Sequence, residues 1–376
     1  MKKAFLIILC CLVISGFFLS IFDTQINKNI KKSYIDKKNN IYYFGEKINE
    51  SNRLNQEVIP LSSYGAEDIT PKDAAYHRSQ NNFLEEWWYF DAIFDNGYSA
   101  VISVVILSRG FYGIVSTGMD IYINTKLEFH LGKKYFFKEF EGSEDFPLIN
   151  VSGKQILKFD KIRFDKTGEW VYNISLNIEG QKVNLQFVGT TKGYKGKVLR
   201  GWYGPVLPKA TVQGHLIIKG NKINVTGLGY HEHAWEISHP ITEYGWFWGK
   251  ASSKSYTLAW AKLMKNRFKE KTRVAVFSQD NAGYIEIDTE KINFKATKYI
   301  LDHWRLIPTK FILNITDPAN SIYINISMES VNTHHYGKFI FRYWRYHLRV
   351  NGKINYKSNT EIIENQIQTM EYMKFR

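Results

Sequence analysis

From His77 onward, apolar and polar positions alternate with a period of two, in short segments rich in β-branched and aromatic residues. Tyr172, Ile174, Leu176 and Ile178 alternate with Asn173, Ser175 and Asn177, the pattern of a half-buried strand with one wet face. The same texture predicts strands over 86–94, 98–108, 118–123, 126–131, 156–164, 170–178, 182–188, 215–219 and 222–226. It resumes over 244–250, 255–263, 273–278, 284–288, 291–297, 309–315, 322–327 and 338–350, with a closing strand to 375. Residues 95–97 and 220–221 read as turns, and Asn351-Gly352 as a hairpin. No long helical period occurs outside the first apolar run. So many antiparallel segments predict an all-β fold of two consecutive antiparallel barrels, split near residue 237.

The chain opens differently. Lys2 and Lys3 precede an uncharged apolar run over residues 4–22. That run nears the roughly 20 residues that span a bilayer and exceeds a usual signal core of about 7–15. Residues 1–22 are therefore expected to be a signal peptide or signal anchor. The leading charges favour an inside N-terminus. The body is then expected outside the cytoplasm, membrane-anchored through 4–22 or secreted. Residues 23–75 are rich in Lys and Asn and read as a stalk. The body divides into a first domain over 76–236 and a second over 237–376. Both cysteines, Cys10 and Cys11, fall in the apolar run, so the body has no thiol and no disulfide.

Composition adds two points. Aromatics make up 16 % of the 376 residues, enough to line pockets as well as cores. The net charge of +14 is dispersed, and no nucleic-acid-binding motif accompanies it. No nucleic-acid partner is expected; an anionic lipid or an acidic glycan suits the charge. The oligomeric state is not legible.

Chemistry concentrates in Gly227-Leu228-Gly229-Tyr230-His231-Glu232-His233-Ala234-Trp235. Alternation puts Ile223, Val225, His231, His233 and Trp235 on one face, with Tyr230 and Glu232 on the other, unless a bulge at Gly227 or Gly229 resets the register. Ionisable groups continuing an apolar face are hydrogen-bonded, paired or doing chemistry. A second stretch, Glu85-Glu86-Trp87-Trp88-Tyr89-Phe90-Asp91, is ring-rich on both faces. A third aligns Tyr244, Trp246 and Trp248, a flat wall for an apolar ligand or ordinary core. His334-His335 reads as an exposed loop. A metal site could combine His231 and His233 with Glu86 or His303, but His-x-His alone assigns none. No metal or other cofactor is expected, and neither a nucleophile elbow nor a phosphate-binding glycine loop occurs. Acid–base chemistry fits better: Glu232 among aromatic rings would have a raised pKa, and His231 or His233 could reload it.

The Glu86–Phe90 strand followed by Gly229–Trp235 resembles the carotenoid 1,2-hydratase (hydroxyneurosporene synthase) and AttH-like superfamily, over about residues 77–376. His303–Pro308 and Met370–Met373 add to the resemblance. It implies two lipocalin-like β-barrel domains, often exported, and activities that include water addition to carotenoid double bonds and terpenoid or polyketide cyclisation. The matched positions are Glu86, Trp87, Trp88, Tyr89, Glu232, His233 and Trp235. This chain departs in Glu232 where Asp is common, in an added His231, and in Glu236 where glycine is common. The expected catalytic set is Glu232, His233 and His231. The expected ligand-binding set is Glu86, Trp87, Trp88, Tyr89, Tyr230, Trp235, Trp246 and Trp248. The expected function is binding of a lipophilic, isoprenoid-like molecule, with hydratase or cyclase chemistry as its sharpest form. A non-catalytic lipid or envelope-glycan binder, or a hydrolase on such substrates, are the alternatives.

Overall fold

Two antiparallel, barrel-like sheets account for nearly all of the chain from Tyr64 onward in the computed structural model. The described residues are 41–43, 46–48, 64–79, 84–198, 201–238, 244–265, 269–337 and 341–375. Residues 41–43 and 46–48 form a two-stranded ladder in a separate N-terminal unit. The apolar run 4–22 lies outside the described residues. Among those described, no helix is long and apolar enough to cross a membrane.

The first sheet has 13 strands. At its centre the tryptophan strand, Leu84–Phe94, pairs with the histidine strand, Asn221–Ile237. Tyr98–Arg109 flanks the first, and Gly201–Ile218 flanks the second. The second sheet has nine strands, with Tyr244–Ser252 paired between Tyr256–Lys265 and Asn359–Phe375. All pairings are antiparallel, which lets each strand bury one face and suits the period-two pattern.

Both interiors are packed with large buried side chains. Trp88, Phe90, Phe159, Tyr172 and Phe187 pack the first. Phe247, Trp260, Phe277, Phe311 and Trp344 pack the second. The segment 64–79 also enters the first core, burying Ile69, Ala74 and Tyr76. Trp88 Nε1 donates to the Ala74 carbonyl at 3.1 Å, and Tyr76 N to the Ser143 carbonyl at 2.9 Å. Residues 64–75, at the end of the stretch read as a stalk, are thus packed on the body, because Tyr64 and Ile69 supply apolar anchors that the Lys/Asn count obscures.

Three local expectations are corrected, and one holds. Residues 161–167 form a short helix instead of extending a strand: Asp160 accepts from Arg163 N at 3.0 Å as its cap, and Gly168 ends it at φ +73°. Asn351-Gly352 is not a hairpin turn; it lies inside the strand Phe341–Tyr356 at a register shift. His334-His335 lies in the strand Ile322–Tyr336, where His334 accepts from Leu127 N at 3.2 Å and His335 stacks on His303. Gly227 and Gly229 stay in register; the bulges sit between Ala234 and Ile237 and, on the neighbouring strand, at 205–210.

Candidate functional site at the seam between the sheets

The two central strands of the first sheet are covered on both faces. Their inner face carries Trp88, Phe90, His231, His233 and Trp235 into the first barrel. Their outer face carries Trp87, Tyr89, Tyr230 and Glu232 against Trp246 and Trp248 of the second sheet. That seam explains why the tryptophan strand has rings on both sides: each side meets an apolar layer, so neither face is wet.

Glu232 lies at the seam, 8 % exposed. Trp87 Nε1 donates to its Oε1 at 3.2 Å. The hydroxyls of Tyr203 and Tyr230 both donate to its Oε2, the latter at 2.8 Å. Tyr203 in turn approaches Tyr230 at 2.8 Å, and the Tyr64 hydroxyl donates to the Tyr203 carbonyl. Burial pushes the Glu232 carboxyl up to about 7; the charge of Glu371 pushes the same way, and the three donors pull against it. Burial, reinforced by the Glu232 charge, raises both tyrosines well above their ordinary range. They stay neutral donors at physiological pH.

Beside this acid sits a buried ion pair, Lys250 with Asp91, which Thr369 Oγ1 joins at 3.3 Å from the carboxylate. Lys250 Nζ lies 4.9 Å from the Tyr230 ring centre. Burial lowers the lysine pKa while Asp91 opposes the shift. Farther along, Arg345 bridges Asp120 at 2.8 Å and Glu371 at 3.1 Å, joining the two sheets. Ser99 Oγ and His347 Nε2 meet at 3.0 Å, but His347 Nδ1 finds no partner among the described residues. The pair therefore lacks the carboxylate that orients a hydrolytic imidazole. The Tyr89 hydroxyl is also buried at the seam without a partner among the described residues.

The sequence-derived set divides accordingly. Glu232, Tyr230, Trp87, Tyr89, Trp246 and Trp248 meet at the seam. His231, His233, Glu86, Trp88 and Trp235 do not. The expectation that His231 or His233 reloads Glu232 fails on geometry, because the alternation that turns the imidazoles inward turns the carboxylate outward. His231 stacks on Phe90 at 3.8 Å and its Nδ1 donates to the Tyr89 carbonyl at 2.9 Å; burial pulls its pKa down to about 3. His303 is apart from both clusters, against His335.

Inside the first barrel, a second polar cluster forms. His233 Nε2 lies 2.9 Å from Glu86 Oε1, and His77 Nδ1 lies 3.3 Å from the same oxygen. Burial raises the Glu86 pKa well above the carboxylate range and lowers that of His233. The sequence reading missed His77, Tyr203, Lys250 and Arg345. Lys250 had a signal: it continues the Trp246, Trp248 face by two residues. His77 and Tyr203 had none, since both reach their clusters from distant segments.

A cavity of about 150 Å³ opens on the seam, lined by Asp91, Gly229, Lys250 and Gln368 among others. A wider concavity of about 590 Å³ lies on the outer polar face of the second sheet, bordered by Asn293, Asn314, Asn325 and Lys353. It borders none of the seam residues, whereas the smaller one borders the Lys250–Asp91 pair, though not Glu232 or its ring partners.

No protein-family model matches the chain, and no curated protein does. Solved structures do. An AttH-like protein of Nitrosomonas europaea is 12 % identical, with 82 % of this chain and 98 % of that one covered at a TM-score of 0.59. Kievitone hydratase from Nectria haematococca is also 12 % identical, with 84 % and 98 % covered and a TM-score of 0.50. CghA with Sch210972 is 8 % identical, with 82 % and 96 % covered and a TM-score of 0.52. The shared feature is the fold: two lipocalin-like barrel domains.

Proposed function

We propose that this chain takes up a lipophilic, isoprenoid-like molecule at the seam and that Glu232 acts on it as a general acid. One arrangement carries the reading: buried Glu232 is hydrogen-bonded by Trp87 and Tyr230, Tyr230 packs on Trp248 of the second sheet, and burial pushes the carboxyl up to about 7. At neutral pH about half of such groups hold a proton. The proton passes from Glu232 to one carbon of an electron-rich double bond, leaving a carbocation. The faces of Trp87, Trp248 and Tyr230 stabilise that cation, while Asp91 neutralises the nearby Lys250 charge. Water then attacks the cation, and its surplus proton returns to the Glu232 carboxylate. An internal double bond in place of water closes a ring and moves the cation to a new carbon, whose neighbour then returns a proton to the Glu232 carboxylate. A hydratase of the same fold, the kievitone enzyme, supports the reaction class. The packed interiors support the seam over the barrels as the site. The unpartnered Tyr89 hydroxyl is a group that a bound ligand would satisfy. Pockets for small molecules span roughly 300–1,000 Å³, so a ligand reaching Glu232 must part side chains across the seam.

A second reading is favoured by how firmly Glu232 is held: three donors reach its two oxygens, as in a structural tie. The chain is then a non-catalytic binder. Incubating the full chain with acyclic isoprenoid polyenes in D₂O separates the two. The acid reading predicts products carrying carbon-bound deuterium, lost in Glu232→Gln while polyene binding persists. Polyene recovered unlabelled from both proteins would leave only the binder.

A further inference from the structure

We propose that His77, Glu86 and His233 form a binding site for one divalent transition-metal ion of the zinc type. The site lies on the inner face of the first sheet, opposite Glu232, and stands independently of the seam chemistry. Its three ligand atoms, His77 Nδ1, Glu86 Oε1 and His233 Nε2, lie within 4.8 Å of one another. Two imidazoles and a carboxylate are the donor set of many three-ligand zinc sites.

The ring geometry carries the inference further. Both imidazoles lie 4.9 Å from the Trp235 ring centre and nearly parallel to it, at 12° and 19°. Their own centres are 5.6 Å apart and their planes differ by 26°. Rings on opposite faces of the indole would be farther apart than this, so they sit side by side on one face. Two imidazoles holding one zinc ion at roughly 2.0–2.1 Å and a near-tetrahedral angle have ring centres roughly 5.2 Å apart. The observed pair needs only a small closing shift to reach that spacing.

Tautomers point the same way. His233 Nδ1 lies 3.0 Å from the Asp73 carbonyl, which only accepts, so that nitrogen carries the hydrogen. The lone pair of the neutral ring is then on Nε2, facing the Glu86 oxygen. A backbone carbonyl fixing the far nitrogen is the usual support of a metal-bound imidazole. The His77 amide donates to both Glu86 oxygens, at 3.1 and 3.2 Å, and holds the carboxylate in place. His77 keeps 24 % of its side chain exposed, giving a path from solvent; Glu86 and His233 are buried. Three protein ligands leave zinc's fourth position for water.

The test uses the full chain with Cys10→Ser and Cys11→Ser, stripped with a chelator, then titrated with Co²⁺ and Zn²⁺. The proposal predicts one equivalent bound per chain, with the visible d–d absorption of a low-symmetry cobalt site. His77→Gln, partly exposed and so tolerated by the fold, should weaken binding at least tenfold. His303→Gln, which alters the other histidine stack, should leave it unchanged. No stoichiometric uptake by the folded protein overturns the site. So does uptake that survives His77→Gln or disappears with His303→Gln.

Discussion

Trp87 and Glu232, 145 residues apart, share a hydrogen bond across adjacent strands: the indole Nε1 donates to the carboxyl Oε1 at 3.2 Å. The histidine strand brings Glu232 opposite Tyr89 in register, and Trp87 reaches it from the same outer face. This is how a ring-rich strand near residue 87 and an acidic stretch near 232 become one site.

The raised pKa of Glu232 makes stability depend on pH. Its folded value of about 7 lies above the ordinary 4.5, so the folded state holds the proton more tightly. Below about 4.5 both states are protonated and the group costs nothing. Between about 4.5 and 7 the unfolded chain gives up the proton while the folded protein keeps it, so stability falls by on the order of 3 kcal/mol in all, the loss being complete once pH has risen through 7. Glu232→Gln removes this dependence. The variant's melting temperature relative to the parent should therefore rise between pH 5 and pH 8, measured by calorimetry on both proteins.

Lys250 and Asp91 form a desolvated pair, so single and double substitutions should differ in kind. Lys250→Met leaves a buried carboxylate uncompensated, at a cost of roughly 3–5 kcal/mol. Asp91→Leu in the same chain should recover most of that loss. Urea unfolding of the three proteins reads it; an additive double variant would mean the pair is hydrated rather than buried.

Glycines in the histidine strand are there for closeness, not for turns. A Cβ on Gly227 would fall 2.1 Å from the Ile93 carbonyl oxygen. One on Gly229 would fall 2.5 Å from Val212 Cγ2 and 2.9 Å from the Asp91 carbonyl oxygen. Gly227→Ala should destabilise by about 1–3 kcal/mol, as overpacking does. Gly283→Ala, in open space, should stay within about 0.5 kcal/mol. Chemical denaturation of both variants checks the contrast.

The faces of these strands were legible because alternation is a local rule. Residues 85–91 and 223–235 fall on the sides that period two assigns, up to the bulge after Ala234. What alternation cannot say is what covers each face. His231 and His233 are inward and Glu232 outward, yet nothing local reveals that Trp248 and Lys250 close the outer side while His77 closes the inner. Those partners arrive through long-range packing. Asn351-Gly352 misled for a related reason: a Cβ at position 352 would fall 2.1 Å from the Asn325 carbonyl oxygen, so the glycine answers a close approach, not a turn.

The protonation state of Glu232 is the central quantity, and difference infrared spectroscopy of the parent against Glu232→Gln reads it directly. The account predicts a protonated-carboxyl band that disappears in the variant and, in the parent, titrates away with a midpoint near pH 7. A carboxyl that stays ionised down to about pH 4.5 would contradict it.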